Sequence, residues 1–564
     1  METRSCKNCQ KDFIIEPDDF GFYKKIKVPP PTFCPECRQQ RRYAWRNERV
    51  LYRRNCDLCG KSSVSIFSPN KPYKTYCNDC WWGDNWDPTL YGKDFDFSRP
   101  FFEQFDELLH SVPRQSLLIK NSVNSDYTHH SIDNKNCYYS FSIIGCENVL
   151  YSTNIYTPLK DSCDCYHVEG SSNERDYECI DLLSGYKCQF SFFLKDCSDC
   201  LYGYDLRNCS NCFMCVNLRS KSNCILNEQY TKEAYDKKIT ELNLGSYETR
   251  KKLYKDFLIL MREKAIHKYA FTQQSINSSG NFVSNCRNAL SVFDANNEEN
   301  CKYMYVAPDV KDSMDCYHIG FKTELIYEIH AVIRSYGVSF ANLSYDNNDI
   351  EYCDSCHNSS GLFGCIGVRK GKNMIFNKQY SEEEYLVLKN KIIEHMKNTG
   401  EYGEFFPSNI SPFGYNETQG QIYMPLTKEE AIHMGFKWED SAPGIYGRET
   451  LRPEQIPDNI NDISESITKE ILSCIECTKN YNIAPNELQF YKKEIIPIPR
   501  LCPDCRYKRR IVIRPPRKLW YGRCKCYSSS HGHDGICPNE FETSYSTDRP
   551  EVVYCEKCYQ QEVY

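Results

Sequence analysis

The hydrophobic and polar positions of this chain change rhythm several times, and each rhythm predicts a different element. Between Ser98 and Pro113 the apolar residues Phe101, Phe102, Phe105, Leu108 and Leu109 fall on one face at helical spacing. Ser98-Arg-Pro opens that helix, Pro113 closes it, and its apolar face is expected to cover an end of the next domain. From Asn134 to Met396 the pattern shortens to β-type runs, such as Cys188-Gln-Phe-Ser-Phe-Phe and Cys200-Leu-Tyr-Gly-Tyr, separated by Asp, Asn, Gly and Lys turns. Cysteines mark the period: Cys137 to Cys146, Cys179 to Cys188, Cys188 to Cys197, Cys200 to Cys209 and Cys215 to Cys224 are each nine apart. Cys179 to Cys200 and Cys188 to Cys209 are twenty-one apart. A short fixed period of strand and turn predicts a solenoid, each rung stacking its inward residues on those of the rung below.

This middle is written twice. Lys160-Asp-Ser-Cys-Asp-Cys165-Tyr-His167 recurs as Lys311-Asp-Ser-Met-Asp-Cys316-Tyr-His318, and Asn227 to Tyr235 recurs as Asn377 to Tyr385. Each copy should be strands followed by a helix. The first helical segment is expected after Thr231, resuming after Ser246 and running to about His267. The second should begin at a Ser381 to Glu384 capping box and end near Gly400. If the segments are strands, His167 and His318 share a face with Cys165 and Cys316. Gly400 to Pro453 is rich in Gly, Pro and Tyr and predicts a mostly irregular docking arm, with one short helix from Thr427 to Gly435.

Composition sharpens the picture through cysteine, of which there are 35 in 564 residues. The chain starts without an apolar signal core and has no run long enough to span a membrane. A metal protein in a reducing, cytoplasmic compartment is therefore expected rather than a secreted disulfide framework. The ends carry the metal grammar. Cys6, Cys9, Cys34 and Cys37 form one set of paired C-x-x-C knuckles, and Cys56, Cys59, Cys77 and Cys80 a second. At an offset of 468, Cys474, Cys477, Cys502 and Cys505 repeat the first set. Two such pairs closing a loop offer four thiolates in the tetrahedral arrangement that structural zinc prefers. For the fourth set, Cys537, Cys555 and Cys558 align with Cys59, Cys77 and Cys80 across an insertion carrying His531 and His533. Cys524 keeps the spacing of Cys56 and is the expected fourth ligand, with Cys526 and His533 as alternatives for that place. The central cysteines, Cys209-Ser-Asn-Cys212-Phe-Met-Cys215 included, read first as small buried hydrophobes of the ladder, with further metal or iron–sulfur binding, or disulfides after export, as the alternatives.

Cys6-x-x-Cys9, Phe13, Phe22-Tyr23, the prolines at 29–31 and Cys34-Pro-Glu-Cys37-Arg38 with Arg41-Arg42 resemble a bacterial zinc-ribbon domain family. The whole layout is similar to uncharacterised bacterial proteins that flank a cysteine-rich repeat middle with such ribbons. The resemblance implies zinc binding and supplies no activity. Such ribbons often carry a glycine after the second cysteine; Gln10 and Thr478 stand there instead, so those knuckles are expected to turn differently. The expected fold is thus mainly β with helices, with tandem four-cysteine zinc ribbons at both termini around a central duplicated parallel β-helix-like solenoid. Its expected boundaries are ribbons at 1–45 and 46–97, a connecting helix at 98–113, and solenoid copies with their helices at 114–270 and 271–400. A linker arm at 401–465 and ribbons at 466–515 and 516–564 follow. Four zinc ions per chain are expected.

The second ribbon of each pair is reached through an eighteen-residue connector. The first holds Arg38, Arg41, Arg42, Arg46, Arg49, Arg53 and Arg54 with Tyr43, Trp45 and Tyr52 and Glu48 as its only acid; the second holds Arg506, Lys508, Arg509, Arg510, Arg514, Arg517, Lys518 and Arg523 with Trp520 and Tyr521 and no acid. Basic side chains interleaved with aromatics suit phosphates and stacked bases. The leading expectation is a non-enzymatic zinc protein that binds nucleic acid, RNA or a ribonucleoprotein, through Arg38, Arg41, Arg42, Trp45, Arg46, Arg506, Arg509, Arg510, Arg514 and Trp520. The alternative is a protein–protein interaction scaffold on the solenoid, with these arginines as glue between domains. An enzyme whose active site lies on the solenoid ranks third, since no catalytic motif is present and closed zinc sites lack a vacant position.

Overall fold

The computed structural model describes Met1–Tyr564, a mainly β chain with twelve α-helices. It divides into two compact units, neither of them a continuous piece of chain. One comprises Met1–Leu117, Ala270–Ala442 and Arg517–Leu519; the other comprises Leu118–Tyr269, Pro443–Pro516 and Trp520–Tyr564. Each unit therefore combines one copy of the cysteine ladder with terminal segments distant from it in sequence. No helix is long and apolar enough to cross a membrane.

The ladder backbone repeats every twelve residues over most of its length, with single steps of eleven, thirteen or fourteen at a few rungs. Ile326, Val338, Ile350, Leu362 and Met374 pair in parallel, one after another, in the first unit. Cys200, Cys212 and Cys224 do so in the second. Within each period the chain turns at every third residue, as at Asn136, Tyr139, Ser142, Gly145, Asn148 and Tyr151, whose φ angles lie between 46° and 67°. The residue after each turn points inward: Cys137, Ser140, Ile143, Cys146, Val149 and Ser152 are at most 1% exposed. Ladder pairing persists across these turns, so that Val292–Tyr317 is a succession of three-residue edges and not a straight strand.

This corrects the expected period. Spacings of nine and twenty-one are multiples of three and keep cysteines in the inward class, but the stacking step is twelve. Residues nine apart meet differently, through thiol-to-carbonyl contacts such as Cys179 Sγ to the Cys188 oxygen at 3.2 Å and Cys356 Sγ to the Cys365 oxygen at 3.4 Å. Every central cysteine except Cys163 belongs to one of two interior clusters. Cys163 lies outside its column, 4.0 Å from the Tyr491 hydroxyl. His167 and His318 do not share a face with Cys165 and Cys316 either. Both take a turn conformation at φ 54°, while the cysteines are interior. A period of three has replaced the alternation of two, and His167 Nδ1 sits 2.6 Å from Asp181 Oδ1.

Each ladder ends in an antiparallel strand pair and a helix. Ser381 and Glu384 form the expected capping box of helix Glu382–Asn398. Thr231 and Ser246 cap helices Lys232–Thr240 and Tyr247–Glu263. The latter stops before His267, because Ile266–Lys268 becomes a strand paired in parallel with Val552–Tyr554. Helix Phe101–Ser111 lays Phe101 against Tyr352, Phe363 and Phe376. Its apolar face thus covers the 271–400 copy, not the copy that follows it in sequence. The arm after Gly400 is irregular but buried at Phe405 and Phe406, and its Thr427 capping box starts helix Lys428–His433.

Candidate metal centres and arginine clamps

The four expected cysteine sets come together. Cys6, Cys9, Cys34 and Cys37 converge, as do Cys56, Cys59, Cys77 and Cys80; Cys474, Cys477, Cys502 and Cys505; and Cys524, Cys537, Cys555 and Cys558. In each set the sulfurs lie within 4.8 Å of one another, so each could hold a metal ion. The local sequence explains how. Cys6 and Cys9 sit on the turn between antiparallel strands Glu2–Ser5 and Asp12–Ile15. Gln10 closes that turn at φ 60° and Thr478 closes its counterpart at φ 58°, beside Gly60 at 73°. The missing glycines therefore leave the knuckles unchanged, contrary to expectation.

The second pair of each set starts a helix. Cys34, Cys77, Cys502 and Cys555 are N-caps of helices Pro35–Tyr43, Asn78–Trp82, Pro503–Ile513 and Glu556–Val563. Free backbone N–H groups and the helix dipole favour a thiolate there. The Cys34, Cys77 and Cys555 amides donate to the sulfurs of Cys6, Cys56 and Cys524, each at 3.2 Å. Sγ separations of 3.8 Å for Cys9 and Cys34, 3.9 Å for Cys59 and Cys77, and 3.6 Å for Cys477 and Cys502 match a tetrahedron edge. Zinc–sulfur bonds of about 2.3 Å make that edge about 3.8 Å, whereas a disulfide needs about 2.05 Å. A hydrogen bond from Cys37 pulls the Cys34 thiol down to about 5, and one from Cys502 pulls Cys474 down to about 4. Their partners Cys37 and Cys502 are pushed up, chiefly by the same bonds. Such crowded thiols ionise together when a divalent cation supplies the balancing charge. Cys524 completes the fourth set, as the alignment across the insertion expects; Cys526 lies beside it.

Most of the arginines between the knuckles face inward within their own units, while Arg53 and Arg523 are exposed. In one unit Arg38 meets Asp315 at 2.8 Å, Arg42 meets Glu328 at 2.7 Å, and Arg41 bridges Glu328 at 3.2 Å and Glu404 at 2.9 Å. Arg46 meets Glu48 at 2.8 Å. In the other, Arg506 and Arg510 meet Asp164 at 2.9 and 2.8 Å, Arg509 meets Glu178 at 2.8 Å, and Arg514 meets Asp181 at 2.7 Å. The two networks are copies. Residues 468 apart in the terminal segments grip acids about 150 apart in the ladder, Asp164 with Asp315 and Glu178 with Glu328. Burial opposes the charge of Asp164, yet Arg506 and Arg510 overcome it and hold its carboxyl below the usual range.

The ten sequence candidates for a phosphate strip are therefore mostly enclosed. Arg38, Arg42, Trp45, Arg46, Arg506 and Arg510 are at most 2% exposed. Trp45 packs on Phe406 with ring centroids 4.9 Å apart. Arg41 and Arg514 are also buried, while Arg509 and Trp520 are half-buried. Trp520 begins a strand that pairs with Glu540–Thr543. Sequence reasoning missed the partner acids, although Asp164 and Asp315 stand inside the duplicated Lys-Asp-Ser-x-Asp-Cys motif. It also missed His531, which lies with His533 against Cys526 and Cys558.

No protein-family model matches the chain, and no curated protein matches it. Among solved structures, the crystal structure of an acetyltransferase candidate from Desulfovibrio desulfuricans G20 aligns at 9% identity over 48% of this chain and 69% of that one. Its TM-score is 0.10, and the likeness carries no argument. What stands is a mainly β chain whose two ends carry four-cysteine clusters able to hold metal ions.

Proposed function

We propose that the protein is a zinc-organised interaction scaffold: two β-solenoid bodies, each clamped by a pair of four-cysteine zinc ribbons. The twelve-residue parallel register and the turn at every third residue support the solenoid. All-thiolate tetrahedra favour zinc, and their closed donor sets suit a structural rather than a catalytic ion. The observation that carries the reading is the duplicated arginine–carboxylate network. A guanidinium enclosed in the fold and paired there with one or two buried carboxylates is out of reach of an external phosphate, so these arginines act as clamps rather than as a phosphate grip.

Purification from native cells with and without nuclease tests this. A stoichiometric protein partner that survives nuclease is the expected result. Copurifying material that absorbs at 260 nm and disappears with RNase, with no such partner, would overturn the scaffold reading in favour of nucleic-acid binding.

A further inference from the structure

The insertion that splits the fourth cysteine knuckle builds a second donor set. Cys526, His531, His533 and Cys558 place one sulfur or ring nitrogen each within 4.8 Å of the others, and Cys558 also belongs to the Cys524, Cys537, Cys555 set. We propose that the C-terminal cluster is a two-metal centre, with Cys558 as a thiolate bridge between a four-cysteine site and a Cys2His2 site. Seven side chains close two tetrahedra that share one corner, and seven are present: five cysteines and two histidines.

The contacts fit zinc or another borderline-soft divalent ion. Cys526 Sγ lies 3.2 Å from His531 Nδ1, and Cys558 Sγ lies 3.6 Å from His533 Nε2. Zinc bonds of about 2.3 Å to sulfur and about 2.0–2.1 Å to nitrogen make a tetrahedral S···N edge about 3.6 Å. The outer ring nitrogens are held as metal-bound histidines require. His531 Nε2 lies 3.2 Å from Glu562 Oε2, and His533 Nδ1 lies 3.0 Å from the Gly535 carbonyl oxygen. Each partner accepts a hydrogen bond from the outer ring N–H and so turns the inner nitrogen's lone pair toward the sulfurs. The Ser528 amide donates to Cys526 Sγ at 3.4 Å, a contact that supports a thiolate.

Burial agrees. Cys526 and Cys558 are 0% exposed and His531 is 4% exposed. The backbone has been shaped for the purpose: Ser529–His531 is one 3-10 turn ended by Gly532 at φ 77°, which brings His531 and His533 to the same sulfur pair. Charge balance also favours a second ion. Five thiolates around one divalent ion leave three negative charges, whereas two divalent ions leave one.

Metal analysis of the full chain tests this directly. Five zinc ions per chain are expected, four from the all-cysteine sets and one from the new set. Cys526→Ser and the double variant His531→Ala/His533→Ala should each lose one ion, and Cys558→Ser should lose two. Cobalt(II) exchanged into the parent should give less EPR intensity than the sum of separate ions, because a bridging thiolate couples their spins. His533→Cys, which keeps a ligand at that place, should restore the fifth ion, a rescue that simple misfolding of the insertion would not allow. Four ions in the parent, unchanged in His531→Ala/His533→Ala, would overturn the two-metal centre while leaving the four-cysteine sites intact. Fewer than four would overturn both.

Discussion

Arg42 and Glu328 are 286 residues apart in the chain and 2.7 Å apart in the structure, with side chains 0% and 1% exposed. Removing one partner of such a pair strands a charge in a low-dielectric interior. Arg42→Ala is expected to cost about 3–5 kcal/mol by chemical denaturation, and Arg510→Ala about the same in the other unit. A loss below about 1 kcal/mol, together with loss of RNA binding, would return these arginines to a phosphate-binding role.

Cys212 stacks between Cys200 and Cys224 and is 0% exposed. As a packing residue it should cost about 1–2 kcal/mol on replacement by alanine, because the cavity left is that of one sulfur. Its zinc content should equal the parent's. A missing equivalent in Cys212→Ala would mean that the ladder binds metal.

The alignment across the insertion makes Cys524 the counterpart of Cys56. Cys524→Ser should lose one zinc and free the 524–564 segment for proteolysis, while the Cys6, Cys56 and Cys474 sites stay filled. Retention of every ion in this variant would show that Cys524 is not a ligand.

Burial lowers His267 to about 4, and its Nδ1 meets the Tyr204 hydroxyl at 2.7 Å. A depressed histidine is neutral in the fold, while the unfolded chain takes up the proton below about 6.5. Its contribution is therefore complete above that pH and is lost as pH falls toward 4. Between pH 7 and 5 the loss should be about 2 kcal/mol. His267→Gln should remove that part of the acid sensitivity, measured as the difference in melting between the two pH values. Equal acid sensitivity in both proteins would place the titration elsewhere.

The cysteine clusters were legible because seven of the eight knuckles keep two residues between their cysteines, and the 468-residue repeat supplied a second copy; the eighth, Cys524 and Cys537, was reached only by aligning across its insertion. The ladder was legible as a repeat but not in its step. Cys188, Cys200, Cys212 and Cys224 spell twelve plainly, yet the nine-residue pairs outnumber them, since any multiple of three keeps a residue inward. The arginine partners were hidden by distance. Two duplications, one basic and one containing Asp164 and Asp315, were each visible, and only their complementarity was not drawn. His531 was hidden because ring orientation, set by Glu562 and the 3-10 turn, leaves no mark in spacing.

The interleaved ancestry of the two units has a consequence for how the protein is made. Leu118–Tyr269 leaves the ribosome long before Pro443–Pro516 exists, so Asp164 and Glu178 emerge as acids with no cations to receive them. At about 5–20 residues per second the interval before Arg510 follows Glu178 is about 20–70 s. During that time the nascent ladder keeps an acidic, unsealed flank open to solvent and to any holdase that reads it. A stop codon anywhere before Arg506 would remove not a terminal appendage but the lock on a body translated tens of seconds earlier.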